Sequence, residues 1–357
     1  MIEEDIFQGI DFLIVESDGA RQLPLKAPGE NEPCIPSKAD VVIGVMGMDA
    51  LGKELRDGNV HRAEQMSRLL DQPLGSVISE TTFRKLAMNE DGLFRNSPLG
   101  ARKIMILNKA EGVEKRMLAE DIMKGILEQH DGIDDFLIAS LEQEYIYKRL
   151  PLKLSLIVFG AGKSTRMGEQ KLLMEMDGSS ILEKVMRTVT KKAYLDPDRL
   201  GQVVTSETIL VYHEDGVKAI GERYGIEKLV WNPEPERGMS SSLLLAAENI
   251  ARDCDGYLFF MGDQPFLDDD TMTNILKLWL KDTTRIVVPY FAGKQGNPVL
   301  FPWELRDRLL RVTGDKGGRD VIKSSLDKVA FCEIEESTPG VDIDDRECYT
   351  RYKDGNR

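Results

Sequence analysis

Residues 154–171 read LSLIVFGAGKSTRMGEQK, an apolar run that passes abruptly into a glycine-rich segment carrying Ser, Arg and Lys. The apolar part has the length and the continuous hydrophobicity of a strand that is buried on both faces. The glycines after it allow the backbone to approach a ligand closely, because they carry no Cβ. Since ligands of open α/β sheets collect at the carboxyl ends of the strands, this stretch predicts a ligand-binding turn in an α/β domain.

The segment GAGKST inside this stretch is similar to the end of a P-loop, whose pattern is G-x-x-x-x-G-K-[ST]. If residues 162–164 closed such a loop, residue 157 would be its first glycine, but Ile157 lies inside the apolar run. A second near match, GMDALGK at 47–53, continues with Glu54, which has no hydroxyl for magnesium and would repel phosphate oxygens. We therefore interpret neither segment as a P-loop.

Apolar runs alternate with amphipathic segments through the whole chain, and the alternation restarts near Leu152. In the first half, strands are predicted at 11–20, 39–47 and 102–111, and helices at 61–72 and 114–129. In the second half, strands are predicted at 154–159, 208–213, 228–232, 256–266 and 285–291, and helices at 179–193, 238–251 and 269–282. Such alternation is typical of a parallel sheet covered by helices on both faces, so we predict an α/β fold with two domains.

The composition indicates a soluble globular protein. The 357 residues are 41% hydrophobic and 30% charged, with a formal net charge of −14. Nucleic acid is excluded as a partner because phosphate neutralisation requires an excess of Lys and Arg. No apolar run has the length of a membrane span, and the acidic N-terminus is not a signal peptide. The four cysteines form no CxxC pair, so we predict a cytoplasmic protein without a zinc site.

The glycine segment carries the pattern G-x-S-x-R-M-G-x-x-K at 162–171. Its small residues leave room for a base and a triphosphate, and its main-chain N–H groups can bind phosphate oxygens. Its two cations can stabilise a reacting triphosphate. The pattern resembles the signature loop of the MobA-like nucleotidyltransferases, in particular the molybdenum-cofactor cytidylyltransferases; an ordinary glycine-rich turn is the alternative. The candidate residues of this loop are Gly160, Ala161, Gly162, Ser164, Arg166 and Lys171.

The resemblance extends from about residue 154 to the end of the chain and implies a Rossmann-like nucleotidyltransferase domain at 153–357. Within it, NPEPERGMSSSLLLAA at 232–247 is similar to the second conserved element of the family. Gly238, Ser240 and Ser241 would open a helix that faces the nucleotide, where an unpaired helix N-terminus binds anions. Plain helix capping by Ser is the competing interpretation.

Three aspartates are the candidate magnesium ligands. Asp263 follows a buried apolar run in FFMGDQP and looks like the metal-binding aspartate of the family, although a lone Asp at a strand end is commonly a turn former. GVDIDDRECY at 340–349 is similar to the family's terminal element, which makes Asp344 a candidate second ligand and Asp342 a weaker one. Asp345 and Arg346 depart from the family pattern there.

The resemblance implies a magnesium-dependent transfer of CMP from CTP to the phosphate of molybdopterin, with release of pyrophosphate. Arg166 and Lys171 would hold the β- and γ-phosphates, with Asp263 as the catalytic metal ligand. Ala161 favours CTP, because the guanylyl branch of the family carries glycine there. Residues 293–301 and 313–322 are also close to family segments and would line the acceptor side, with Lys316 and Arg319 near its phosphate or dithiolene end; solvated turns are the alternative.

The first half resembles the YqeC-like accessory proteins of selenium-dependent molybdenum hydroxylases over residues 8–150. The resemblance rests on Glu16-Ser17-Asp18-Gly19, on NVHRAEQ at 59–65 and on Asn108-Lys109-Ala110-Glu111. It implies a P-loop NTPase-type domain at 1–150 that lacks its Walker A segment. We expect this half to bind no nucleoside triphosphate productively, and a molybdenum hydroxylase apoenzyme is the partner that the resemblance implies.

Two other functions fit the same sequence. One is a nucleotidyltransferase acting on a sugar phosphate, which would share the glycine loop. The other is a non-catalytic accessory or chaperone protein that binds cofactor without turnover. Dependence of turnover on Asp263 distinguishes the enzyme from the chaperone.

Overall fold

The computed structural model describes residues 11–129, 132–164, 167–191, 195, 203–312 and 318–353. The chain divides into two compact units, Met1–Pro151 and Leu152–Arg357. Each unit contains its own sheet and helices. None of the helices in the described ranges is both long enough and apolar enough to cross a membrane.

The first unit is built around a four-stranded sheet. The strands of the unit are β1 (Leu25–Lys26), β2 (Val41–Gly47), β3 (Val60–His61), β4 (Arg102–Asn108), β5 (Asp135–Ser140) and β6 (Tyr145–Leu150). The helices of the unit are α1 (Ala63–Leu70), α2 (Glu80–Met88) and α3 (Val113–Leu127). The sheet order is β2-β4-β5-β6, with parallel pairing up to β5 and an antiparallel β6. β1 and β3 form a separate parallel pair.

Two features of the first unit differ from the predictions. Residues 11–20 do not form a strand, and the apolar side chains of Phe12 and Ile14 are exposed. Apolarity alone does not make a strand when no neighbouring strand pairs with the segment. The helices predicted to cover both faces of the sheet leave part of one face open. Val41, Ile43 and Val45 on that face of β2 are exposed.

The second unit contains the longer strands and most of the helices. Its strands are β7 (Leu152–Gly160), β8 (Glu175–Met176), β9 (Ser179–Ser180), β10 (Val203–Tyr212), β11 (Lys228–Trp231), β12 (Gly256–Met261), β13 (Ile286–Phe291), β14 (Lys294–Gln295), β15 (Val299–Pro302) and β16 (Val329–Ile334). Its helices are α4 (Ile181–Lys191), α5 (Asp215–Arg223), α6 (Met239–Asn249), α7 (Asp269–Trp279), α8 (Arg306–Leu309), α9 (Arg319–Lys323) and α10 (Arg346–Lys353).

The main sheet of the second unit has the order β11-β10-β7-β12-β15-β13-β14, and β16 pairs with β13. β7 lies between β10 and β12, is parallel to both, and is buried along almost its whole length. Of the described strands of this sheet, β14 and β15 are antiparallel to the others. The turns after β7, β11, β12 and β16 therefore lie at one edge of the sheet, which is the edge where the sequence predicts the ligand.

The predicted α/β class is confirmed in both units. The apolar run at 154–159 becomes the central strand β7, as its continuous hydrophobicity indicates. The segment at 269–282 becomes α7, which is capped by Asp268; the side chain of Asp268 accepts a hydrogen bond from Thr271 N at 2.8 Å. The mixed direction of the sheet, with the antiparallel β15 inserted beside β12, is not predicted by the sequence pattern.

Candidate active site

The turn after β7 is held by its own side chains. Ser164, which has a left-handed φ of 49°, donates a hydrogen bond to Gln170 Oε1 at 2.7 Å and accepts one from Lys171 N at 3.0 Å. Gln170 Nε2 donates to Gly162 O at 3.1 Å. Ser164 thus closes the turn and fixes the start of the Lys171 side chain. Arg166, predicted as a catalytic cation, lies outside the described residues.

Asp263 is positioned by a close backbone approach after β12. Gly262 N donates to Phe159 O at 3.0 Å, and a Cβ at Gly262 would lie 2.8 Å from that same carbonyl oxygen. A glycine is required there because real Cβ atoms do not approach an oxygen so closely. The carbonyl of Asp263 accepts a hydrogen bond from Ile343 N at 3.0 Å, which brings the segment with Asp342 and Asp344 to the end of β12.

Lys171 joins the two principal aspartates. Its ammonium Nζ lies 2.5 Å from Asp263 Oδ2 and 2.9 Å from Asp344 Oδ1. Desolvation opposes the charge of this ammonium, but the two carboxylates outweigh it and raise the pKa of Lys171 above its ordinary value. Asp263 and Asp344, predicted to converge from distant parts of the chain, therefore meet on one cation. That cation is the side chain predicted to hold phosphates.

The same cluster has the chemistry of a magnesium site. Asp263 Oδ1 is buried and has no hydrogen-bond partner among the described residues. Partial desolvation, together with the negative charges of Asp263 and Asp344, raises the pKa of Asp342 to about 6, although Asp342 is an exposed residue. Carboxylate oxygens are the ligands that Mg²⁺ prefers, so the donor set fits that ion. Within the described ranges, no three His, Cys, Asp or Glu side chains are grouped closely enough to hold a metal by themselves.

The start of α6 lies beside this edge of the sheet. Gly238, with a left-handed φ of 80°, precedes the helix. The hydroxyls of Ser240 and Ser241 donate to the carbonyl oxygens of the preceding turn, Arg237 O at 3.3 Å and Gly238 O at 2.9 Å. The segment is joined to the turn after β7 by an ion pair of 3.0 Å between Lys163 and Glu236. The two predicted nucleotide-binding segments thus lie next to each other.

Asn232 organises this segment and was not predicted as a site residue. Its fully buried side chain donates to Ser241 Oγ at 2.9 Å and to Ser242 Oγ at 3.0 Å, and its Oδ1 accepts from Glu234 N at 3.0 Å. The signal for it in the sequence is an asparagine directly after an apolar run and before the prolines of NPEPERG. An asparagine there offers both donors and acceptors where a strand gives way to a turn.

A cavity of about 420 Å³ lies on one face of the main sheet. Its walls are mostly apolar and aromatic, and its polar side chains come from the end of β14, the turn that follows it and the first residue of α9. Both predicted acceptor segments therefore contribute to one cavity; Lys316 lies outside the described residues. The residues of the cavity that bear on its chemistry are Phe159, Phe259, Gln295, Asn297, Phe301 and Arg319.

Side chains of the motifs predicted in the first unit contact other residues of that unit. Asn108 Oδ1 accepts from Leu141 N at 2.9 Å, and Lys109 Nζ lies 3.2 Å from Asp49 Oδ2. Asp18, from the predicted Glu-Ser-Asp-Gly element, lies 2.9 Å from Lys26 Nζ. These contacts give the predicted residues structural partners, and they do not bring the two motifs together.

Two family models match the chain. One, described as MobA-like NTP transferase domain, matches residues 156–329. The other, described as YqeC protein, matches residues 2–64. The first spans β7 through the start of β16, which includes Lys171, Asp263 and the start of α6. The resemblance inferred from the sequence is therefore confirmed for both halves of the chain.

Among curated proteins, a protein named Uncharacterized protein YqeC from Escherichia coli (strain K12) is 34% identical over 121 residues, which are 34% of this chain and 47% of that protein. The chain thus spans about half the length of this curated relative. Among solved structures, Rv0371c from Mycobacterium tuberculosis H37Rv is 22% identical, with a TM-score of 0.48 over 57% of this chain and 99% of that chain. Molybdopterin-guanine dinucleotide biosynthesis protein A from Archaeoglobus fulgidus is 16% identical, with a TM-score of 0.41 over 57% and 97% of the two chains.

Proposed function

We propose that this chain, which carries a MobA-like NTP transferase domain and a YqeC segment, transfers CMP from CTP to the phosphate of molybdopterin. A phosphate oxygen of the acceptor would attack the α-phosphorus of CTP. The new oxygen–phosphorus bond forms as the bond to the β-phosphate bridging oxygen breaks, and pyrophosphate leaves with the electron pair. The observation that carries the proposal is the convergence of Asp263 and Asp344 on Lys171 beside the glycine turn.

The carboxylates of Asp263 and Asp344, with Asp342 nearby, would hold Mg²⁺. Bound there, Mg²⁺ would neutralise the charge of the α-phosphate and of the acceptor oxygen. Lys171, and Arg166 as the sequence predicts, would hold the phosphates that leave. The reaction needs positioning and charge neutralisation and no covalent nucleophile, so these side chains suffice for it.

The nucleotide would lie between the turn after β7 and the start of α6. Ala161 is buried in the turn after β7. By the family resemblance, alanine at this position favours CTP. Main-chain N–H groups of the turn can bind phosphate oxygens, and main-chain N–H groups at the start of α6 can bind a second anionic group. The hydroxyls of Ser240 and Ser241 can turn from backbone carbonyls to the ligand at little cost.

The acceptor would enter the cavity beside β12 and β15. Aromatic walls from Phe159, Phe259 and Phe301 suit a flat heterocycle, because aromatic faces stack on such rings. Arg319, which lines the cavity, can pair with an anionic substituent, since a guanidinium can donate two parallel hydrogen bonds to one phosphate. A cavity of about 420 Å³ falls within the ordinary size range of small-molecule sites.

Arg319→Ala tests this placement of the acceptor. We expect the KM for molybdopterin to rise by about tenfold, because a charge-assisted contact is worth roughly 1.5–3 kcal/mol. The KM for CTP should stay unchanged. Steady-state rates of pyrophosphate release, with each substrate varied in turn, measure both constants. Lys323→Ala, at the other end of the same helix, is the matched control. An equal rise in the KM for CTP would contradict the assignment.

Gly162→Ala tests the nucleotide turn. Among the described residues, apart from its two chain neighbours, a Cβ at Gly162 would meet no atom within 4 Å, so we expect the free energy of unfolding to stay within about 1 kcal/mol of the wild type. The same methyl group would occupy space where phosphates bind, and we expect the KM for CTP to rise by about tenfold. Thermal unfolding and steady-state rates measure the two effects.

Gly262→Ala is the contrasting change for this test. Its Cβ would lie 2.8 Å from Phe159 O, so it should lower the free energy of unfolding. If Gly162→Ala bound CTP as tightly as the wild type, the phosphates would not pass over this turn.

Pyrophosphate release from CTP in the presence of molybdopterin and Mg²⁺ tests the proposed function. The proposal predicts release that requires the acceptor. Release that requires a sugar phosphate instead would favour the alternative acceptor class. Binding of molybdopterin without release would favour the non-catalytic accessory function.

A further inference from the structure

The ammonium of Lys171 occupies the position between two carboxylates where a bound cation would be expected. It contacts Asp263 and Asp344 at the same time, at 2.5 and 2.9 Å. Its side chain is only 14% exposed and that of Asp263 is 12% exposed, whereas that of Asp344 is 56% exposed, so water reaches the cluster from the Asp344 side. The structure carries no other described cation in contact with Asp263.

Two positive charges cannot share this position without strong repulsion. Water screens this repulsion only weakly when the charges are a few ångströms apart and partly buried. A divalent ion that binds Asp263 and Asp344 must therefore displace the ammonium. A displaced Lys171 must then find another anion, because an unpaired charge is costly in a largely buried place.

We propose that Lys171 blocks the metal site until a triphosphate arrives, so that the divalent ion and the nucleotide bind together rather than one after the other. This rests on the proposed function, since it takes the triphosphate as the new partner of the ammonium. The start of the Lys171 side chain is fixed by the hydrogen bond of 3.0 Å from its main-chain nitrogen to Ser164 Oγ. The flexible stem is free to swing from the aspartates to phosphates bound over the glycine turn.

This arrangement has a functional consequence. Without nucleotide, the paired aspartates hold no divalent ion tightly, so the free enzyme is not loaded with metal. Without metal, Lys171 remains tied to the aspartates and is withheld from the phosphates. Each ligand therefore releases the group that the other one needs, which is a positive coupling between the two binding events.

The test is a titration of the full chain with Mn²⁺ in the absence of nucleotide, followed by electron paramagnetic resonance of the free ion. Lys171→Met retains the length of the stem and removes the charge. We expect it to bind Mn²⁺ at least about tenfold more tightly than the wild type, because the competing cation is gone. Lys171→Arg retains the charge, so its affinity for Mn²⁺ should remain low.

Lys184→Met is the matched control. Lys184 is also 14% exposed and pairs with Asp177 at 2.9 Å in the same unit, so its loss removes a comparable ion pair elsewhere. Its affinity for Mn²⁺ should equal that of the wild type. Adding Asp263→Asn to Lys171→Met should cancel the increase in affinity for Mn²⁺. That result would show that the ion binds at Asp263. Far-UV circular dichroism shows whether each variant is folded, and Lys171→Gln replaces Lys171→Met if that variant is not.

An unchanged affinity of Lys171→Met for Mn²⁺ would overturn the inference, and so would a gain that persists after Asp263→Asn. Neither result bears on whether CMP is transferred, which is measured separately by pyrophosphate release. Conversely, a chain that bound Mn²⁺ as expected but released no pyrophosphate from CTP and molybdopterin would support the exchange of cations and contradict the proposed reaction.

Discussion

Asp263→Asn is expected to lower the rate of nucleotidyl transfer on the order of 10³-fold while leaving the protein folded. The carboxylate lies at the end of β12 and contacts Lys171 at 2.5 Å, and its second oxygen is buried without a hydrogen-bond partner in the described part of the chain. Asn has the same shape but no charge, so it would hold neither Mg²⁺ nor the ammonium as strongly. Because Asp344 still contacts Lys171 at 2.9 Å, the cation keeps one partner and the local fold should persist.

The rate of pyrophosphate release at saturating CTP and molybdopterin measures this effect, and circular dichroism checks the fold. Asp269→Asn is the matched control, because Asp269 lies in the first turn of α7 and pairs with Lys191 at 3.7 Å instead of with Lys171. Its rate should equal that of the wild type. A rate for Asp263→Asn within threefold of the wild type would remove Asp263 from the reaction.

Asn232→Ala is expected to lower both stability and activity, because it removes a buried, hydrogen-bonded side chain. The side chain makes three hydrogen bonds of 2.9 to 3.0 Å, to Ser241, Ser242 and the main chain of Glu234. Each partner left unsatisfied in a buried place costs about 1–3 kcal/mol, so we expect the free energy of unfolding to fall by about 2–4 kcal/mol. The start of α6 would lose its fixed position, and we expect kcat/KM for CTP to fall by about 10²-fold.

Urea unfolding and steady-state rates measure these two quantities. Asn249→Ala is the control, since Asn249 is exposed at the other end of α6 and makes a single side-chain hydrogen bond to Leu245 O at 2.8 Å. Its effect on stability should stay below about 1 kcal/mol, and its kcat/KM should be unchanged. If Asn232→Ala destabilised the protein yet retained full kcat/KM, Asn232 would support the fold without positioning the nucleotide segment.

The local parts of the fold and of the site could be predicted from the sequence. The apolar run at 154–159 and the glycines after it specify a buried strand and a turn, because hydrophobicity and backbone freedom are properties of neighbouring residues. Asp263 could be placed at a strand end for the same reason. The resemblance to a family, not spacing, indicated that Asp344 belongs with it.

The partners of these residues could not be predicted. Lys171 and Asp344 are separated by 173 residues, and no local pattern shows that their side chains meet. A lysine in a glycine-rich turn indicates phosphate binding, whereas the folded chain pairs Lys171 with Asp263 and Asp344. The apolar segment at 11–15 gives the converse case, since its composition favours a strand and the described structure supplies no strand beside it.

The most direct test of the proposed CMP transfer is pyrophosphate release by the full chain from CTP, GTP, ATP and UTP. Each nucleotide is measured with molybdopterin and Mg²⁺, and the measurement is repeated after EDTA is added. We expect more release from CTP than from the other three nucleotides, and we expect that release to require molybdopterin and to be abolished by EDTA. Release that continues undiminished in EDTA, or that is absent from all four nucleotides, would contradict it.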